Sequence, residues 1–509
     1  MEVLQSSMIG TLLLAVWRLG ERIYENSVLA LIFRAAANGW GRMWHGSKVV
    51  NVIHRNGTLP GAWRFSVVCR ALAVLLNLPL ILLHWVYEKG RALFENSVAA
   101  QLAFAMGEQT NVAVAWLMTV ILMIPYKQWS NTYSLVGFVL LTMLFALGAM
   151  HRKSLRFDVA ALGPYAVFFA AAVFIAFSYS AAPDDSPRFL MFHITCMLCV
   201  LLTVSSVERL EQLIRLIAGG VMGLLGVSVY GIVQGIQGVK VDAMLTDLSN
   251  ENAAGRVYSM FDNPNAFAHV LVLLIPLGIG LMLVSKSWMG RLFAAASALT
   301  GIVSLGLTYS RAGWIGFAIA MLIFVFLWRK KLIPILIFLC AAGIPLLPDT
   351  ITSRLMTIFD TSDTSTTSRF PLYQAGLRLI KSSPILGAGL GTEAVKQYIS
   401  ENDLYSGTAY LVHLHDIFLE VWAETGLLGI VTFVAAVLHQ FKNVCGIAAS
   451  RCPYTLRIMA MACAASLTGI MVCGVADYIW HYPRVMLVFW FVFAVTLSVI
   501  KLARKQESM

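Results

Sequence analysis

From residue 111 to residue 500 the chain is a succession of apolar stretches separated by short polar loops. A helix that crosses a bilayer needs about 20 such residues, because the hydrocarbon core is about 30 Å thick. Inside lipid every backbone polar group must be bonded within the protein, so only helices and closed barrels can span. Barrel strands alternate apolar and polar residues, and these stretches do not alternate. The reading is an all-α polytopic membrane protein with about 12 transmembrane helices. They are expected near 111–126, 133–150, 159–180, 188–206, 211–236, 266–285, 288–308, 311–328, 331–347, 415–438, 455–476 and 484–501. A composition that is 59% hydrophobic and 12% charged excludes an ordinary soluble fold. The run Cys196-x-x-Cys199 falls inside a span, where it reads as two small apolar residues one turn apart.

The loops sort by charge. If the first span runs outward, the inner loops hold Arg152, Lys153 and Arg156; Arg209 and Arg215; Lys286 and Arg291; Arg329, Lys330 and Lys331; and Lys442, Arg451 and Arg457. Every inner loop is then basic, as positive-inside topology requires, and both termini are cytoplasmic. The net charge of +11 is loop charge, scattered rather than gathered on one face, so nucleic acid is not an expected partner. The eight cysteines lie in spans or inner segments, and no disulfide framework is expected. Two outer loops are long, 237–265 and 348–414, the second lying between spans nine and ten. Residues 1–110 read as a separate extension with amphipathic or interfacial helices, in which Tyr24–Val28 returns weakly as Phe94–Val98. The N-terminus shows no cleavable secretory pattern. The domain proper is expected over 111–505, with 348–414 as an extracytoplasmic lid or substrate loop.

Against this charge pattern, Arg256, Arg311 and Arg369 fall on the basic-poor side. Cations held there beside polar motifs point to an anionic ligand. Arg256 leads to Asn263-Pro264-Asn265, just ahead of a span, where Asn265 is expected to cap the helix. A helix N-terminus with free N–H groups suits a phosphate. Tyr309-Ser310-Arg311-Ala312-Gly313-Trp314 joins two spans with almost no loop. Arg311 snorkelling to headgroups is the bland alternative, but the small residues around it favour a packed pocket. In the long loop, Arg369 to Lys381 has amphipathic helical spacing and carries Tyr373. It stops before Pro384, and Gly387-Ala388-Gly389-Leu390-Gly391 is expected to form a flexible turn. Arg378 and Lys381 read as the solvated face of that helix.

The last motif is His413-Leu414-His415-Asp416, followed by Glu420 and Glu424-Thr425-Gly426, where the loop re-enters the membrane. Imidazole takes a proton from a hydroxyl near neutral pH, so His415 or His413 is a candidate base. One of the two is open to a purely structural role. H-x-H with an acid also fits a metal, but with no further clustered ligand visible, metal ranks below base and none is expected. The group Asp477-Tyr478-Ile479-Trp480-His481-Tyr482 reads best as an interfacial aromatic belt.

Taken in order, Asn263-Pro264-Asn265, Ser310-Arg311-Ala312-Gly313, Pro384 to Gly391, and His413-x-His415-Asp416 with Glu424-Thr425-Gly426 resemble the O-antigen ligase and polymerase superfamily. Asp416 stands where that family often has Asn, and Ala312 where it usually has Gly. The resemblance covers roughly 111–500. It implies a multi-span membrane glycosyltransferase of a bacterial inner membrane, acting on the extracytoplasmic face. The implied donor is a polyprenyl-pyrophosphate-linked glycan and the acceptor a hydroxyl on a lipid, a protein or another glycan, with membrane lipids as surroundings. The reaction it implies is metal-independent and inverting, with no cofactor. Arg256 and Arg311 would stabilise the leaving pyrophosphate and His415 or His413 would activate the acceptor. Arg369, Asn263, Asn265, Tyr309, Tyr373, Asp416 and Glu424 are then candidate substrate-binding residues. The competing class is a transporter or flippase for an anionic lipid-linked glycan. Polar residues at mid-span and paired halves with broken helices would mark it; no repeat of six spans is evident within 111–500, and transport leaves the large outer loop with H-x-H unexplained.

Overall fold

The computed structural model describes residues 58–238, 255–346, 349–356, 369–407 and 411–507, with scattered positions between 22 and 39. The chain forms two compact units, residues 1–62 and 63–509. The smaller includes the short helix Thr58–Ala62. In the larger, the principal helices are α1 (Val67–Lys89), α2 (Val98–Glu108), α3 (Thr110–Met123), α4 (Asn131–His151), α5 (Pro164–Ser178), α6 (Ser186–Ser206), α7 (Leu210–Gln237) and α8 (Pro264–Val284). They continue as α9 (Trp288–Leu307), α10 (Arg311–Arg329), α11 (Ile333–Gly343), α12 (Phe370–Ser382), α13 (Thr392–Glu401), α14 (Ile417–Ala449), α15 (Tyr454–Ala476) and α16 (Pro483–Glu507). No strand occurs among the described residues.

The helices begin where local chemistry allows. Ser66, Ser97, Ser130, Ser287, Ser310, Asn263 and Asp416 each cap a helix by accepting a bond from its first turn. Pro164 and Pro264 occupy the first turn of α5 and α8, where no N–H is missed. Among the described residues nine helices are long and apolar enough to cross a membrane: α1, α4, α6, α7, α8, α9, α14, α15 and α16. The shorter α3 and α5 are also apolar. The chain is thus an all-α, multi-pass membrane protein.

The expected spans 111–126 and 159–180 form the short α3 and α5, 311–328 forms α10, which is not among the nine, and two further places differ. The ninth expected span, 331–347, forms α11, whose 11 residues rise about 16 Å, roughly half a hydrocarbon core. Conversely, the extension 1–110, read as holding amphipathic or interfacial helices, contains α1, a 23-residue apolar helix that passes through Pro79. Helices α1 and α2 pack on α4 within the larger unit. Gly107 and Gly148 bring the α2 and α4 backbones into direct contact, since a Cβ on either would overlap the other chain. Small residues allow such approach in lipid, where no hydrophobic drive separates helix from tail.

Helix α16 lies at the centre, buried nearly along its length, while α1 is mostly unburied. The charged groups gather at two ends. At one, Lys501 pairs with Asp158 at 3.0 Å, Arg152 with Glu208 at 2.7 Å and His151 with Glu108 at 2.8 Å. At the other lie the starts of α8, α10, α14 and α16 and the ends of α3, α5, α9 and α15, under α12 and α13.

The expected amphipathic helix of the long loop is α12, which begins just after Arg369. With α13 it forms its own small core of Ala375, Leu379, Ala388, Val395, Ile399, Leu414 and Ala423. The Pro384–Gly391 segment is not the free flexible turn expected. It is wedged between the end of α5 and a kink in α14. The Ala388 N–H donates to Ala423 O at 2.7 Å, and the Ala181 N–H donates to Ala388 O at 2.9 Å. The kink is at Gly426, with φ +64°, where the Leu427 N–H donates to Ile385 O at 3.1 Å. Gly389, at φ +102°, leaves no room for a Cβ against the Ser180 backbone. Gly389→Val is therefore expected to destabilise the protein by about 2–5 kcal/mol, from positive-φ strain plus overpacking. A thermal-stability measurement on detergent-purified protein checks this, and a wild-type melting temperature would contradict the wedge.

Candidate functional site

The site grows from the turn that starts α14. Asp416 caps that helix, its Oδ1 accepting from the Phe418 and Leu419 N–H groups at 2.8 and 2.9 Å. That carboxylate is occupied in capping, and burial raises its pKa against those two bonds. The cap forces the preceding chain to turn sharply, and His415 takes φ +53°, an uncommon value for a residue with a Cβ. Glu420 holds the turn from beneath, its Oε2 accepting from the Leu414 N–H at 2.6 Å. Glu424, one turn further, accepts from the Tyr478 hydroxyl at 3.0 Å. Both acids are buried, so they brace the histidine turn from inside.

The two histidines differ. His413 is 5% exposed, and its Nδ1 accepts the His415 N–H at 3.1 Å. A neutral imidazole has one acceptor nitrogen, so His413 carries its proton on Nε2. Burial pushes its pKa down to about 2, with His415, His481 and Arg369 acting the same way against Asp477, so it stays neutral. The His415 side chain is 28% exposed and its Nδ1 lies 3.3 Å from Asp477 Oδ1. Asp477 also faces His269, with Nε2 4.0 Å from Oδ2. Burial would raise the Asp477 carboxyl. The His415 bond and the neighbouring imidazoles of His269 and His413 overcome it and hold the group well below the usual carboxylate range. His481 packs its ring 4.6 Å from that of His413.

The sequence reading placed Asp477–Tyr482 in an interfacial belt. The structure corrects this: Asp477, Tyr478 and Trp480 are buried, Asp477 and Tyr478 against the histidine cluster and Trp480 against Phe433 and Phe489. His269, Asp477 and His481 were missed. A histidine inside an otherwise apolar span and an acid at a span end were the available signals.

The arginines come to the same end. Arg369 donates from Nη1 to Ala476 O at 2.6 Å, beside Asp477. Tyr373, one turn along α12, donates to His415 O at 3.5 Å. Arg256 donates to Thr308 O at 3.0 Å and to Asn265 Oδ1 at 2.8 Å. Its strand-like neighbour Val257 bonds Leu307 O at 3.1 Å, so the 255–261 segment rides on the end of α9. The expected cap is corrected here. Asn263, not Asn265, caps α8, accepting the Asn265 N–H at 2.7 Å, which leaves the Asn265 side chain for Arg256. Arg311 is the first residue of α10. Ser310 caps that helix, and the Cys473 thiol donates to Ala312 O at 3.3 Å, tying its first turn to α15 close to Asp477. Tyr309 stands at φ +51° and shares a hydrogen bond of 3.2 Å with Thr350. Burial raises the Tyr482 hydroxyl, with Asp477 and Asp262 acting the same way and Arg256 and Asn263 against it.

Arg484, also missed, locks this arrangement. It is 4% exposed, donates to Ile124 O and Met260 O at 2.8 and 3.1 Å, and stacks on Trp129 and Phe261. It thereby fixes the segment that carries Arg256. Arg378, by contrast, is exposed and donates to Leu404 O at 3.2 Å. Arg378→Ala should leave stability within about 0.5 kcal/mol of wild type, as for a surface side chain. Thermal unfolding and the transfer assay below check this, and a large loss in either would mean that face of α12 is not solvated.

Residues 295–434 match the family model described as O-Antigen ligase. The chain is also similar to an uncharacterized protein of Haemophilus influenzae, 25% identical over 174 residues. That similarity covers 30% of this chain and 44% of the relative, so the chain spans less than half of the relative's length. The resemblance drawn from the motifs is borne out: the matched segment holds Arg311, Arg369, the Pro384–Gly391 wedge, His413, His415 and Glu424. Arg256, Asn263, His269 and Asp477 lie outside it and join the site through the fold.

Proposed function

We propose that this protein is an O-antigen ligase-like glycosyltransferase. It moves a glycan from a polyprenyl-pyrophosphate carrier to an acceptor hydroxyl, at the extracytoplasmic face of a bacterial inner membrane. The observation that carries this reading is the His415–Asp477 pair set among Arg256, Arg311 and Arg369 at one end of the helices. The lysine- and arginine-rich loops belong to the other end, which favours placing the site outside.

In this reading His415 donates Nδ1–H toward Asp477, which fixes the tautomer and leaves Nε2 as the acceptor. The acceptor hydroxyl gives its proton to Nε2 as its oxygen bonds the anomeric carbon. The bond from that carbon to the phosphate oxygen breaks, and the electron pair leaves with the polyprenyl pyrophosphate. Attack from the opposite face inverts the anomeric centre. Asp477 stabilises the imidazolium, as a buried carboxylate does beside a catalytic histidine. The arginines meet the growing negative charge, where the planar guanidinium fork matches phosphate oxygens. Charge supplied this way makes a divalent ion unnecessary for the leaving group. Arg369, Tyr373 and Asn263 are placed to bind substrate. Asp416 and Glu424 serve instead to hold the turn. Tyr309 positions Arg311 through its strained turn.

Purified protein given a polyprenyl-pyrophosphate-linked glycan and a glycan or lipid acceptor should form product and release polyprenyl pyrophosphate. Movement of the donor between leaflets of a vesicle without product would make it a flippase instead.

A further inference from the structure

We propose that the His413–His415–Asp477 cluster is an inhibitory site for a zinc-class divalent ion. Its occupation takes the base away from the acceptor, and in this the inference rests on the transfer reading above. Among the described residues these three side chains are the group able to hold a metal, with one ligand atom from each within 4.8 Å of the others. His415 Nδ1 and Asp477 Oδ1 are 3.3 Å apart. That equals the edge of a tetrahedron with bonds of about 2.0–2.1 Å, as zinc makes with imidazole and carboxylate. Two imidazoles and a carboxylate select borderline ions such as zinc over magnesium or calcium, which prefer all-oxygen shells.

A second observation is independent of these distances. His269 is wholly buried and neither of its ring nitrogens has a hydrogen-bond partner, although Nε2 points within 4.0 Å of Asp477 Oδ2. Unpaired nitrogens in a dry site carry a cost. A metal on Asp477 Oδ1 would draw the carboxylate between itself and His269, the usual carboxylate–histidine support around a bound ion.

The same geometry makes the ion a visitor rather than a resident. His413 Nδ1 accepts the His415 N–H at 3.1 Å. A neutral imidazole offers one lone pair, so binding through either nitrogen of His413 breaks that bond. The nearby Arg369 guanidinium, whose charge already reaches His413 and His269, weakens cation binding further. Occupation consumes the nitrogen and the carboxylate that orient His415, and the acceptor proton loses its destination.

The test is a zinc titration of the purified full-length protein in detergent, followed by calorimetry, with magnesium as control, alongside the transfer assay. One zinc per chain is expected. Transfer should fall at least about tenfold at saturation and recover with EDTA, while magnesium does neither. His413→Gln and Asp477→Asn should each weaken zinc binding by at least about tenfold, the lower bound for losing even a supporting group. Cobalt(II) added to the wild type should give the visible bands of a tetrahedral N/O site, a readout that needs no variant to fold. No saturable zinc binding, or binding unchanged in both variants, overturns the inference and leaves the transfer reading standing. Transfer that is lost on EDTA treatment and restored by zinc overturns the inhibitory role and the metal-free mechanism together. Zinc uptake by a protein that transfers nothing under any condition supports the site and removes the transfer reading.

Discussion

Replacing His415 by alanine is expected to lower glycan transfer by about 10²–10⁴-fold, the usual contribution of a positioned general base. The protein should stay folded and inserted. The His415 side chain is partly exposed, and the turn that carries it is held by the Asp416 cap and by Glu420, not by the imidazole. The backbone N–H that His415 gives to His413 survives the substitution. His413→Ala should behave differently, because that ring is buried and accepts the backbone bond; its loss should show in thermal stability as well as in rate. Asp477→Asn should fall between wild type and His415→Ala in rate, since an amide cannot stabilise the imidazolium. Transfer at the wild-type rate in a well-expressed His415→Ala protein would remove His415 from the chemistry.

The second large effect is at Arg311. Arg311→Ala should cost about 10²–10³-fold in turnover, comparable to losing one donor aimed at a developing anion. Arg311→Lys should recover part of that loss, because a lysine keeps the charge but not the bidentate fork. The side chain opens α10, whose start is also held by the Ser310 cap and by the tie of its first turn to α15. A variant that binds and turns over donor normally would mean Arg311 only anchors the helix at the membrane surface.

Much of the architecture was legible because lipid imposes it. Apolar length and loop charge located most helices to within a few residues, as for Asn131–His151 and Tyr454–Ala476. Length alone misjudged α1 and α11. Flanking arginines made one long helix look short, and a run of isoleucine and leucine made a short one look long. The motif arginines and histidines were legible through their departure from the charge pattern. Their partners were not. Asp477 meets His415 and His269 because the end of α15 lies beside the starts of α14 and α8, and no local spacing encodes that contact. The Gly387–Gly391 run shows the same limit. Glycine-rich sequence reads as freedom, yet here Gly389 and Gly426 are glycines because two backbones press against them.

Transfer at this end of the membrane, with Arg311 acting on the leaving pyrophosphate, can be followed in cells lacking the gene, complemented with wild type or Arg311→Ala, with the surface polymer and the carrier-linked glycan both resolved on gels. The expected result for Arg311→Ala is loss of mature polymer with donor accumulating on the outer leaflet. Donor trapped on the inner leaflet would contradict the account and make the protein a transporter of that lipid.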